Sequence, residues 1–98
     1  MIERYDIRAR NPYGAKLGTH LLNPGGAFKA VSLAIPAGQR LAEHTAPTPA
    51  LLVMLEGRAS FTMGDERVDL EPGSVVHIPP GVVHRVDAAT NSHFVLVR

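Results

Sequence analysis

Short apolar and β-branched stretches alternate along this chain with breaks marked by glycine and proline. The breaks are Asn23-Pro24-Gly25-Gly26, Pro36-Ala37-Gly38, Gly64-Asp65-Glu66, Glu71-Pro72-Gly73, Pro79-Pro80-Gly81 and Ala89-Thr90-Asn91-Ser92. Glycine supplies positive φ and proline presets φ, so each break is a turn signal with a mechanism. The stretches between them predict strands over 3–8, 15–22, 27–35, 40–44, 50–56, 58–63, 66–70, 74–78, 83–88 and 92–97. In 58–63, Ala59, Phe61 and Met63 share one face while Arg58, Ser60 and Thr62 share the other, the pattern of a half-buried antiparallel strand. Residues 51–55 are apolar on both faces, which predicts cover on both sides, by an opposite sheet and by something else, such as a second copy of the chain. No segment has convincing helical periodicity, and Pro47 and Pro49 would break a helix over 41–50. Closely spaced short strands of this kind predict an all-β sandwich or barrel.

Composition narrows the picture. The chain has 98 residues, the size of one domain, with 45% hydrophobic and 19% charged residues, an ordinary globular balance. Aromatics make up 5% and there is no Trp, so the core must be mostly aliphatic. Without cysteine there are no disulfides, thiolate ligands or thiol nucleophiles. Ten Lys and Arg are scattered among nine Asp and Glu for a net charge of +1, with no basic stripe and few stacking aromatics, which argues against nucleic-acid binding. Met1-Ile2-Glu3-Arg4-Tyr5-Asp6 puts charges where a signal peptide needs an apolar run, and no later stretch has the length of a membrane span. A soluble, cytoplasmic protein with no membrane partner is the expectation.

The candidate chemistry lies in two segments. The first, from Gly38 to Gly57, contains Glu43-His44-Thr45-Ala46 and, farther on, Ala50 and Glu56. The second ends Glu71-Pro72-Gly73-Ser74-Val75-Val76-His77-Ile78-Pro79-Pro80-Gly81-Val82-Val83-His84. Together these segments resemble the two motifs of the cupin superfamily. The first family motif runs glycine, five residues, His-x-His, three or four residues, glutamate, six residues, glycine. The second has a Pro-x-Gly turn followed after two residues by histidine.

The resemblance implies one cupin domain over 1–98, an antiparallel jelly-roll β-barrel. It also implies one divalent first-row transition metal held by three histidines and a glutamate. Residue by residue, His44 matches the first ligand and His84 the last, while Ala46 stands at the second histidine position and Ala50 at the glutamate position. Ala88 replaces the asparagine that often follows the last histidine by four residues. Two of four ligands are therefore absent, and open transition-metal sites usually need about three protein ligands. His77 is a weak further candidate, since parity with Val76 and Ile78 turns it away from the site. His93 and His20 are weaker still. Glu56 reads as a solvated strand-end charge, and Arg40 and Arg85 as surface groups.

Alternation also places Leu52 and Met54 on the face of Ala46 and Ala50, and Val82 and Val86 on the face of His84. These six residues would line a mostly apolar pocket with two imidazoles at its wall, the profile of a small-molecule site. Two functions follow: a binding module for a small organic molecule, with or without metal, and a metal-dependent, dioxygenase- or isomerase-like enzyme using His44, His84 and an unidentified third ligand. A vestigial pocket in a structural or regulatory dimer is a third possibility. No Ser-His-Asp set is recognisable. The doubly apolar 51–55 segment, sheet edges and an N-terminal strand together predict a homodimer.

Overall fold

The structure, a computed structural model, describes residues 1–23 and 26–98. Pro24 and Gly25, the middle of the expected turn at 23–26, lie outside the described residues. Nine strands occur among the described residues: β1 (Gly18–Leu21), β2 (Ala30–Ile35), β3 (Arg40–His44), β4 (Ala50–Glu56), β5 (Ala59–Met63), β6 (Glu66–Leu70), β7 (Val75–Ile78), β8 (His84–Ala88) and β9 (Ser92–Val97). The element expected as a strand over 3–8 is instead one turn of helix, α1 (Ile7–Arg10). Asp6 explains the change. Its carboxylate accepts from the Arg8 N–H at 2.8 Å, and its carbonyl accepts from the Ala9 and Arg10 N–H groups. This is an N-cap, and a single turn is too short to show periodicity.

The strands form two antiparallel sheets, one of five strands in the order β1-β2-β9-β4-β7 and one of four in the order β3-β8-β5-β6. The core lies between them. Leu33, Ile35, Leu52, Met54 and Phe94 come from the five-stranded sheet, and Phe61, Leu70 and Val86 from the four-stranded one. Each such side chain contributes roughly 1.5–3 kcal/mol on burial. No helix among the described residues is long and apolar enough to cross a membrane.

The outward faces differ. On the four-stranded sheet, Arg40 pairs with Asp87 at 2.9 Å, and Arg85 pairs with Asp87 at 2.9 Å and Glu43 at 3.2 Å. On the five-stranded sheet, Leu51 and Val53 are half-buried while Leu55 and Val75 are 41% and 52% exposed. Within one copy of the chain, the 51–55 segment is thus fully covered only on its inner side.

Two β-bulges interrupt the ladders. On β3, Leu41 faces Val86 and His44 faces His84, so β3 spends one residue more than β8 between the two pairs. On β4, Met54 faces Phe94 and Glu56 faces His93, again with one residue extra. An extra residue reverses the facing of everything beyond it. The first bulge turns His44 to the inner face shared by Leu41 and Val86, and the second turns Glu56 to the outer face shared by His93. Glu56 is therefore no free strand-end charge. Its carboxylate accepts from the Tyr13 hydroxyl at 2.6 Å and from Arg8 at 3.3 Å, and these bonds, Tyr13's first, hold its pKa below the ordinary value against the opposing effect of burial.

Candidate functional site

His44 and His84 are brought together by the β3–β8 ladder as directly opposed residues. Their ring centroids are 4.2 Å apart with the planes inclined at 61°. His84 is 4% exposed and His44 half-buried. Each ring is fixed the same way: Nδ1–H of His44 donates to the Ala42 carbonyl at 2.9 Å, and Nδ1–H of His84 to the Val82 carbonyl at 2.9 Å. A carbonyl oxygen can only accept, so Nδ1 carries a proton, and each ring in its neutral form presents an Nε2 lone pair. The site offers two neighbouring acceptors of the same kind.

Phe61 stacks on His84 with centroids 5.9 Å apart and planes 24° off parallel. The cross-strand row continues beyond the pair, because Met63 faces His84 and Glu66 faces Met63. His44, His84, Met63 and Glu66 thus form one row across the inner face of the four-stranded sheet. A cavity of about 130 Å³ lies at the Met63–Glu66 end of this row, lined by Phe61, Met63, Glu66, Val68 and Val76, with neither imidazole in its wall. A second, of about 150 Å³, reaches His84 from outside, past Glu43, Thr62, Gly64, Val83 and Arg85. The wider groove of about 420 Å³ around Arg58, Ser60, Arg67 and Asp69 is on the charged outer face of the same sheet, away from the imidazoles.

The expected pocket residues are placed as follows. Ala46, Ala50, Leu52, Met54 and Val86 are buried, the last four inside the main core cluster, and Val82 is half-buried with its carbonyl bound to His84. None of the six lines the cavities described above: core packing fills the space expected to be a pocket, and the cavity of about 130 Å³ is walled by other residues, Phe61, Met63, Glu66, Val68 and Val76. Phe61, Met63 and Glu66 were not among the expected site residues, although the alternation of 58–63 already put Phe61 and Met63 on one face. His77 is exposed, faces Leu51 across the β4–β7 ladder, and is not brought to the pair.

A metal set of three histidines and a glutamate does not fit this chain. Methyl groups occupy positions 46 and 50, and no group of three or more His, Cys, Asp or Glu side chains among the described residues could hold an ion. Two imidazoles remain, which is below the usual ligand count of about three.

The cupin domain model matches residues 31–97. No curated protein matches the chain. Among solved structures, a conserved Streptococcus pyogenes protein of unknown function superposes with a TM-score of 0.88 at 19% identity, covering 99% of this chain and 86% of its own. A Cupin 2 conserved barrel domain protein from Salinispora arenicola gives 0.80 at 24% identity, covering 99% and 87%. A cupin superfamily protein from Desulfitobacterium hafniense gives 0.82 at 18% identity, covering 87% and 78%. At these identities the likeness speaks to the fold alone.

Proposed function

This chain belongs to the cupin superfamily, and we propose that it binds a small organic molecule, without a metal, against His44 and His84 inside a one-domain jelly-roll β-barrel. One observation carries this reading. Both Nδ1 atoms are committed to backbone carbonyls, so each ring, when neutral, keeps Nε2 as a free acceptor, and the two rings are neighbours with Phe61 stacked on His84. A ligand suited to two acceptors brings hydrogen-bond donors, such as neighbouring hydroxyl groups, and an apolar body for Phe61, Met63, Val68 and Val76. The cavity of about 130 Å³ suits only a molecule of few atoms, or a larger one that extends to solvent.

The test is metal analysis of protein purified without a nickel column, followed by ligand screening by NMR. The expected result is metal-free protein whose melting temperature ignores chelator and added metal. Small hydroxylated compounds should then shift resonances of His44, His84 and Phe61. A stoichiometric first-row metal that is lost from His44→Ala or His84→Ala protein would overturn the metal-free reading. It would favour the dioxygenase- or isomerase-like alternative, in which the same two Nε2 atoms hold the ion with a third ligand.

The apolar outer face of Leu51, Val53, Leu55 and Val75 supports a homodimer, though the N-terminal strand once expected to help is absent. Light scattering should give twice the 10.5 kDa chain mass at micromolar concentration; a monomer would remove the dimer.

A further inference from the structure

His93 is the most deeply buried histidine of the chain, at 0% exposure, and it lies on the outer face of the five-stranded sheet rather than between the sheets. The N-terminal segment covers it. Tyr13 sets its ring edge-on to His93, with centroids 6.1 Å apart. The Asn11 side-chain amide reaches Gly18 O at 3.1 Å, Ser32 O at 3.2 Å and Ser32 Oγ at 3.1 Å. Farther along, Tyr5 sits edge-on to His20, with the Arg10 guanidinium 4.1 Å above the Tyr5 ring.

The hydrogen bonds engage one ring nitrogen and leave the other unserved. Ser32 Oγ, which also accepts from Asn11, lies against His93 Nε2. The buried Nδ1 has no partner, and once the ring is protonated it is a donor without an acceptor. The acceptor best placed to serve it is the carboxylate of Glu56, its register partner on β4, but Glu56 is occupied by Tyr13 and Arg8.

We propose that His93 is the proton-operated catch of a latch: when its ring is protonated, Glu56 is drawn from Tyr13 to the imidazolium and residues 5–13 are released from the sheet. The charged and titratable groups around the ring are Glu56 from β4, Tyr13, Arg8 and Asp6 from the N-terminal segment, and His20 from β1, one strand beyond, beside Ser32. Ser32 and Ala34 of β2 are uncharged neighbours. Burial is the leading influence and holds the His93 pKa below its ordinary 6.5; Glu56 and Asp6 oppose it and Arg8 reinforces it. The sign follows. The depressed value belongs to the docked state, and the released ring regains the ordinary one. Docking is therefore at full strength above 6.5 and weakens as pH falls below it.

The latch is independent of the ligand site between the sheets. Hydrogen exchange of the full chain, corrected for intrinsic rates, tests it. Between about pH 7.5 and about pH 5.5, protection of the Ala9, Arg10 and Asn11 amides should fall about tenfold, the linkage limit one pH unit below the free value. The fall should begin near pH 6.5 and level off at the pH where the docked His93 ring titrates by NMR. His93→Gln should hold the same protection at both pH values, and Tyr13→Phe should weaken protection already at about pH 7.5. If His93→Gln does not fold, Glu56→Gln replaces it: with the carboxylate gone, the docked His93 ring should titrate at still lower pH, and the pH at which protection levels off should move down with it. Protection that ignores pH in the unaltered chain, or a pH response that persists in His93→Gln, or a levelling-off pH that stays in place in Glu56→Gln, overturns the latch.

Discussion

Two bulges build two histidine sites of opposite character. The bulge on β3 turns His44 inward to meet His84, and the one on β4 turns Glu56 outward to meet His93. His84 and His93 are both nearly inaccessible, at 4% and 0% exposure. They differ in which nitrogen is engaged. His84 gives Nδ1–H to a backbone carbonyl and leaves Nε2 free at the edge of a cavity, whereas His93 engages Nε2 with Ser32 and leaves Nδ1 in a place no ligand can enter. Burial alone therefore does not distinguish a binding histidine from a structural or switching one. The free nitrogen and what it faces do.

The two sites differ most in their dependence on Gly57. This residue has φ of +94°, and a Cβ there would collide with the carbonyl oxygen of Asn91 beside Ser92. It follows Glu56 directly, so its conformation holds the end of the β4 bulge. Gly57→Ala is expected to destabilise the protein by about 2–5 kcal/mol, from left-handed strain plus overpacking. Urea denaturation gives the size, and NMR shifts give the place: the His93, Tyr13 and Glu56 resonances should move while those of His44 and His84 stay. A loss under about 1 kcal/mol would mean that the backbone relaxes and Gly57 does not anchor the bulge.

A middle-sized effect separates the two sites by their supporting bonds. Asn11 is 7% exposed and serves buried acceptors, so Asn11→Ala should cost about 1–3 kcal/mol by leaving the Ser32 carbonyl and hydroxyl short of a donor. His44 is half-buried and its bond to Ala42 is exposed, so His44→Ala should cost about 1 kcal/mol or less while abolishing ligand-induced shifts at His84. Parallel denaturation curves test the ordering. If His44→Ala were the more destabilising, the inner pair would be a structural element first and a site second.

The pairing of His44 with His84 was legible in the sequence, whereas the cavity beyond it and the outer site were not. Alternation over Ala59, Phe61 and Met63 and the spacing of Gly38, His44, Gly81 and His84 depend on local period and turn chemistry, which sequence displays. The strand bounds at 40–44, 50–56, 66–70 and 92–97 agree with the structure for the same reason. The bulges are different. Neither extra residue is a glycine or otherwise marked, and only pairing with a distant strand shows that the count is off by one. For Glu56 that slip converted an apparent surface charge into the partner of Tyr13, Arg8 and His93. The role of His93 depends in turn on Asn11 and Tyr13, which lie some eighty positions away in sequence and carry no pattern of their own. The helical turn at Ile7–Arg10 had one local sign, Asp6 as N-cap, and too few residues to show a second.

The smallest expected effect tests the assignment of faces itself. His77 is exposed and opposes Leu51 on the outer side of the edge strand β7, whereas its neighbour Ile78 is 3% exposed in the core. His77→Ala should change stability by less than about 0.5 kcal/mol and leave ligand-induced shifts at His44 and His84 untouched. Metal content should be equally indifferent to it. A drop in bound ligand or metal would require His77 to face inward, and on a strand that is possible only if the β4–β7 register slips by one residue, which would carry Val76 and Ile78 out to solvent with it. Since that slip would surrender two core contacts to supply one imidazole, the present register should prevail, and the pair of acceptors at His44 and His84 should have no third histidine.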